Sequence, residues 1–77
     1  YAVVNLSDLL AFEENSVIDL AALTSKGLVK KVYDGVKVLG NLKDGETFNK
    51  KYTVKANKFS KSAEAAITAA GGTVEVI

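Results

Sequence analysis

Apolar residues fall along this chain in short clusters of two kinds, alternating and helically spaced, separated by glycine-rich and polar breaks. The opening YAVVN, residues 1–5, is apolar and β-branched and predicts a buried strand. Asn5 or Ser7 is placed to cap a short helical turn through Leu9, Leu10 and Phe12. Residues 13–16, EENS, form a polar loop. A second short helix is predicted from Asp19, with Leu20 and Leu23 facing inward. Gly27 stands where a left-handed residue ends such a helix, so Leu28 should fold back onto Leu23.

Residues 30–34 are polar and end at Gly35, after which GVKVLG predicts a strand between two glycines. The stretch 41–49, NLKDGETFN, is a turn-rich excursion with Asp44-Gly45 as a hairpin-type turn. Tyr52, Val54 and Ala56 then alternate with Thr53, Lys55 and Asn57, which predicts a half-buried strand with a cationic outer face. Ser60 caps a helix running to about Ala70, its buried stripe being Ala63, Ala66, Ile67 and Ala70 and its stop Gly71-Gly72. A final strand, TVEVI, sets Val74 and Val76 against Thr73, Glu75 and Ile77. The pattern is a small single α/β domain of short strands alternating with short helices around a small mixed sheet. It contains no repeat, linker or low-complexity tract.

Composition narrows the chemistry. Seventy-seven residues, 48% of them apolar, are enough for one small core and exclude a wholly disordered chain. No apolar run approaches the ~20 residues of a membrane span. Cys and His are absent, which removes the usual metal ligands and nucleophile–base pairs. Every cation is lysine, a point charge on a flexible stem without the planar fork that reads guanine edges. Met is absent as well, and the chain is expected to be the C-terminal part of a longer one.

Charge is divided along the sequence. Residues 1–25 hold four acids and no lysine; residues 26–61 hold all ten lysines against three acids; residues 62–77 hold two acids and no lysine. Such a division predicts one basic face, the footprint of a polyanion partner. Half of the lysines crowd into KKYTVKANKFSKSA, residues 50–63. One reading is a solvated edge that discourages sheet-to-sheet pairing. The favoured reading places Lys55 and Asn57 on one strand face and Lys58 and Lys61 near a helix N-terminus capped by Ser60, where phosphate is held by free N–H groups and the helix dipole. Five phosphate contacts would give a log–log salt slope of roughly −3.5 to −4.5.

Other candidates carry less. Gly40 and Gly45 have the spacing of a phosphate-binding loop, but Glu46 and Thr47 stand where Lys and Ser or Thr are needed. Glu13 and Glu14 read as solvated carboxylates. Phe12, Tyr52 and Phe59 read as core, and Phe48 and Tyr33 as the surface aromatics. An enzyme would have only Lys, Ser, Asp, Glu or Tyr to work with.

VVNL at 3–6, GLVKK and GVKVLG within 27–40, TVKANKFSKSA at 53–63 and AAGGTVEVI at 69–77 resemble, in order, the C-terminal domain of the bacterial large-subunit ribosomal protein fifteen family. The resemblance implies a compact α/β domain without catalytic activity that binds large-subunit ribosomal RNA, touches neighbouring ribosomal proteins and takes part in subunit assembly. It implies Lys37, Lys55, Asn57, Lys58, Ser60 and Lys61 as RNA-facing, with Lys50 and Lys51 flanking. It implies no metal, cofactor, membrane or small-molecule substrate, and a place in the ribosome of the cytoplasm or of an organelle. Two departures stand out: the basic, glycine-rich N-terminal arm usual in the family is not in this sequence, and NLKDGETFN is longer than the family's usual link. The rival reading is a protein-interaction domain with opposed acidic and basic faces, which would show no RNA affinity even at low salt.

Overall fold

A computed structural model describes residues 1–29 and 35–77. The polar segment 30–34, including Tyr33, lies outside the described residues. The chain runs β1 (Ala2–Asn5), α1 (Leu6–Leu9), β2 (Val17–Ile18), α2 (Leu20–Ser25), β3 (Val36–Leu39), β4 (Thr53–Ala56), β5 (Lys58–Phe59), α3 (Lys61–Ala69) and β6 (Thr73–Val76). This is the α/β domain expected. The two-residue strands β2 and β5 were not visible in the sequence pattern.

The strands form two three-stranded sheets rather than one mixed sheet. One has the order β1-β3-β5 and the other β2-β4-β6, and the four pairings are all parallel. Parallel neighbours cannot be joined by a tight turn and need a crossover. Here the chain makes each crossover by visiting the other sheet, so it winds in three coils that each contribute one strand to both sheets. The coils differ in length: Ala2 pairs with Val36 and Val17 with Thr53, but Lys37 pairs with Lys58 and Thr53 with Thr73. Unequal coils leave no sequence period, which is why the winding was not legible beforehand.

Local signals act where the sequence places them. The Asp19 carboxylate accepts the Ala22 N–H at 2.9 Å and caps α2. The Ser60 hydroxyl accepts the Ala63 N–H at 3.2 Å and caps α3. Both helices stop in the same way. Gly27 and Gly71 take φ values of +73° and +87°, a conformation that costs other residues a clash at Cβ. Leu28 then donates to the Leu23 carbonyl at 2.9 Å, and Gly72 to that of Ile67 at 2.9 Å, satisfying carbonyls that the helix ends would leave orphaned.

The core lies between the inward rows of the two sheets. Val4, Val36 and Val38 of one sheet and Ile18, Val54 and Ala56 of the other are buried, and α3 closes over them with Ala63 and Ile67. Two expectations are corrected. Asp44-Gly45 does form a turn, with the Glu46 N–H donating to the Lys43 carbonyl at 3.0 Å, but it makes no hairpin because β3 and β4 belong to different sheets. Val76 and Ile77 are 68% and 61% exposed, since β6 is an edge strand with a neighbour on one side only.

Candidate nucleic-acid interface

The lysine-rich stretch divides at a single residue. β4 ends at Ala56 in one sheet and β5 begins at Lys58 in the other, so Asn57 alone carries the chain across. Its side chain holds the corner. Oδ1 accepts the Val36 N–H at 2.9 Å, Nδ2 donates to the Ile77 carbonyl at 3.2 Å, and the Asn57 N–H donates to the Val36 carbonyl at 3.0 Å. An amide is suited to this post because it offers donor and acceptor at once. The sequence placed Asn57 beside Lys55 on a binding face; the structure gives its amide two backbone partners instead.

Lys55 and Lys58, three residues apart, therefore face out from different sheets. Lys58 pairs in register with Lys37, and Lys37 with Val3, so the three form one row on the outer face of the β1-β3-β5 sheet. Lys55 pairs with Glu75, an opposite charge at the neighbouring position. Like charges side by side on a sheet cost stability, and opposite charges add to it. The first sheet thus holds a destabilising pair of cations, while the second balances its own.

The remaining candidates distribute as follows. Lys61 is exposed at the first position of α3. Ser60 caps that helix and lies 3.3 Å from the Ser62 hydroxyl. The end of β3 abuts the same point: a Cβ added to Gly40 would collide with the Ser62 side chain and come within 2.9 Å of the Ala63 nitrogen. That close approach brings KVLG against FSKSA, so Lys37, Lys58, Ser60 and Lys61 share one region.

Lys50 and Lys51 belong elsewhere. The Lys50 ammonium turns back to donate to the Leu10 and Phe12 carbonyls, at 3.3 Å each. Lys51 is exposed, but its N–H donates to the Glu14 carboxylate at 3.4 Å and its carbonyl accepts the Asn15 N–H at 2.6 Å. Both bind the acidic loop onto the segment that leads into β4.

Of the aromatics, Phe12 and Tyr52 are buried as expected. Burial raises the Tyr52 phenol above its ordinary pKa, with the Glu14 charge adding to the effect, and its hydroxyl donates to the Phe12 carbonyl at 2.7 Å. Phe59 is half-buried against the core. Phe48, expected at the surface, is half-buried too and lies 5.8 Å from the Tyr52 ring, because the 41–52 segment folds back over the core. The exposed aromatic is Tyr1, with the Lys58 ammonium 5.6 Å from its ring centre. Nothing in the sequence singled it out, since its partner comes from a strand near the other end of the chain.

The loop from Gly40 to Glu46 is not built for phosphate. The Glu46 carboxylate accepts the Lys43 N–H at 2.8 Å. That bond, with a smaller contribution from Ser7, lowers its pKa. Among the described residues, no three His, Cys, Asp or Glu side chains form a metal-ligating group, and no helix is long and apolar enough to cross a membrane.

The site is then a small α/β domain with an exposed cationic sheet face and, among the described residues, no assembled catalytic group. The chain belongs to the family of ribosomal proteins that takes in 50S-L15, 50S-L18e and their 60S counterpart, whose family model matches residues 3–75. Among curated relatives, the large ribosomal subunit protein uL15 of Lactobacillus delbrueckii subsp. bulgaricus is 64% identical over 77 residues, which is 100% of this chain and 50% of that protein. Proteins of the same name from Syntrophotalea carbinolica and Lactobacillus acidophilus are each 56% identical, over 78 and 77 residues, with the same coverage. The chain spans about half the length of the curated relatives it matches.

Proposed function

We propose that this chain is the C-terminal globular RNA-binding domain of a large-subunit ribosomal protein, with a structural and non-catalytic role in the cytoplasmic ribosome. It docks as a rigid body on folded large-subunit RNA, beside other ribosomal proteins, and supports subunit assembly. Lys37, Lys58 and Lys61 meet phosphates together with the α3 N-terminus at Ser60. Lysine suits this work because phosphates position a protein without asking for base identity, and the shape of the folded RNA does the selecting. No metal or organic cofactor enters.

The observation that carries the reading is the register pair Lys37–Lys58. Two cations held side by side on a sheet face lower the stability of the free domain, and an RNA phosphate removes that cost on binding. All-parallel sheets are ordinarily covered on both faces, whereas Val3, next in this row, is 53% exposed. The face has the charge and the openness of a surface that is covered in an assembly.

The test is a salt titration of binding to a large-subunit RNA fragment. Three phosphate contacts give a log–log slope of about −2 to −3, shallower than the five-lysine expectation from sequence. Changing Lys37, Lys58 and Lys61 together to Glu is expected to abolish binding at low salt, with the urea midpoint held within the range of surface substitutions. Binding that survives the triple change, or that Lys55→Glu alone abolishes, would overturn the assignment.

A further inference from the structure

Resting on the proposed RNA-binding role, we infer that the outer face of the β1-β3-β5 sheet seats an unpaired nucleotide, its base against Tyr1 and its phosphates at Lys37 and Lys58. Charge alone does not require this. Two lysines would serve equally well against a continuous duplex, which offers them phosphates in a regular row. The apolar part of the same face is what separates the two substrates.

Tyr1 is 49% exposed and Val3 53% exposed. Val3 stands on β1, the strand that pairs with the lysine-bearing β3, and Tyr1 leads directly into it. A duplex keeps its bases stacked and presents sugars and phosphates, leaving an exposed ring and an exposed isopropyl group with nothing apolar to cover them. An unpaired base has a free π-face and covers both.

The cations are placed to complete the contact. The Lys58 ammonium lies 5.6 Å from the Tyr1 ring centre, so it is held at the aromatic surface, where a stacked base would bring its own phosphate. Lys37 occupies the adjacent strand in register with Lys58, one strand spacing away, about 4.8 Å along the sheet. The row Val3, Lys37, Lys58 carries no carboxylate. An aromatic ring for the base with cations for the backbone is the general chemistry of single-strand recognition on sheets. Lysine in place of Arg makes the seat tolerant of base identity.

The test uses the protein in its natural chain and two RNA hairpins of equal length and phosphate number. One is fully paired; the other carries a single unpaired 2-aminopurine, whose fluorescence reports stacking. Wild type is expected to bind the bulged hairpin more tightly and to quench its fluorophore. Tyr1→Ala should weaken that complex about fivefold or more and leave the paired hairpin unchanged, and Tyr1→Phe, which keeps the ring, should behave as wild type. Lys37→Glu should weaken both complexes. If Tyr1→Ala has no effect, or affects both hairpins equally, the inference is overturned while lysine-dependent binding leaves the proposed function standing. If neither hairpin binds at low salt, both readings fall.

Discussion

The two sheets of this domain are built alike and finished differently. Each has three parallel strands, a buried inner row and an outer row with one lysine from the stretch 53–59. In the β2-β4-β6 sheet that lysine, Lys55, has Glu75 in register beside it. In the β1-β3-β5 sheet the corresponding lysine, Lys58, has Lys37. A lysine's meaning here is set by its ladder partner. Beside an acid it helps hold the fold, and beside another lysine it costs stability and is available to an anion. A count of lysines along the chain treats the two as equal.

The comparison can be broken outright by removing what the sheets share. Ile67 is fully buried on α3, the helix that connects β5 of one sheet to β6 of the other. Ile67→Ala should destabilise the domain by about 2–5 kcal/mol, read as a lowered urea midpoint, and should cost both outer faces their order together. An effect confined to one face would show that the sheets fold as separate units.

A smaller change tests the anchor at the entrance to β4. Tyr52→Phe removes the hydroxyl that donates to the Phe12 carbonyl and should cost about 1 kcal/mol. It also predicts a pH effect. The folded pKa of Tyr52 is raised, so the unfolded chain loses its phenolic proton first as pH rises. The stabilisation is complete below the ordinary tyrosine pKa of about 10 and disappears as pH climbs through the raised folded value. Unfolding followed by circular dichroism into that alkaline range should show the loss in wild type and a flatter profile in Tyr52→Phe.

The smallest effect sharpens the comparison most. Lys37→Glu turns a like pair into an opposite pair, and Lys55→Glu does the reverse. Each should move stability by roughly 0.2–1 kcal/mol, upward for Lys37→Glu and downward for Lys55→Glu. RNA affinity should fall in the first and stay near wild type in the second. A stabilised variant with impaired binding beside a destabilised one that still binds would separate the lysine that serves function from the lysine that serves the fold. Parallel shifts in both variants would remove the distinction.

Much of the local structure was legible because its chemistry spans only a few residues. Asp19 and Ser60 cap helices three positions away, and Gly27 and Gly71 end them within one turn. Alternation at Tyr52, Val54 and Ala56 named a strand without reference to any partner. The interface was legible only in part. Lys37, Lys58, Ser60 and Lys61 were named in advance and are brought into one region. Lys50 turns its ammonium to two backbone carbonyls, Asn57 spends its amide on a corner, and Lys55 faces out from the other sheet.

From its sequence alone this chain determined its class, its helix ends, its main strands and its stock of cations, since each depends on neighbours within about one turn or on side-chain type. The tertiary structure decided which sheet each strand joined, what stood beside each lysine and which aromatic remained in the open. Those outcomes turn on a one-residue crossing at Asn57 and on register between strands far apart in the chain. A slip of one position in that register would exchange the inner and outer rows. Such pairings are fixed by the packing of the whole core, and no short window of sequence contains them.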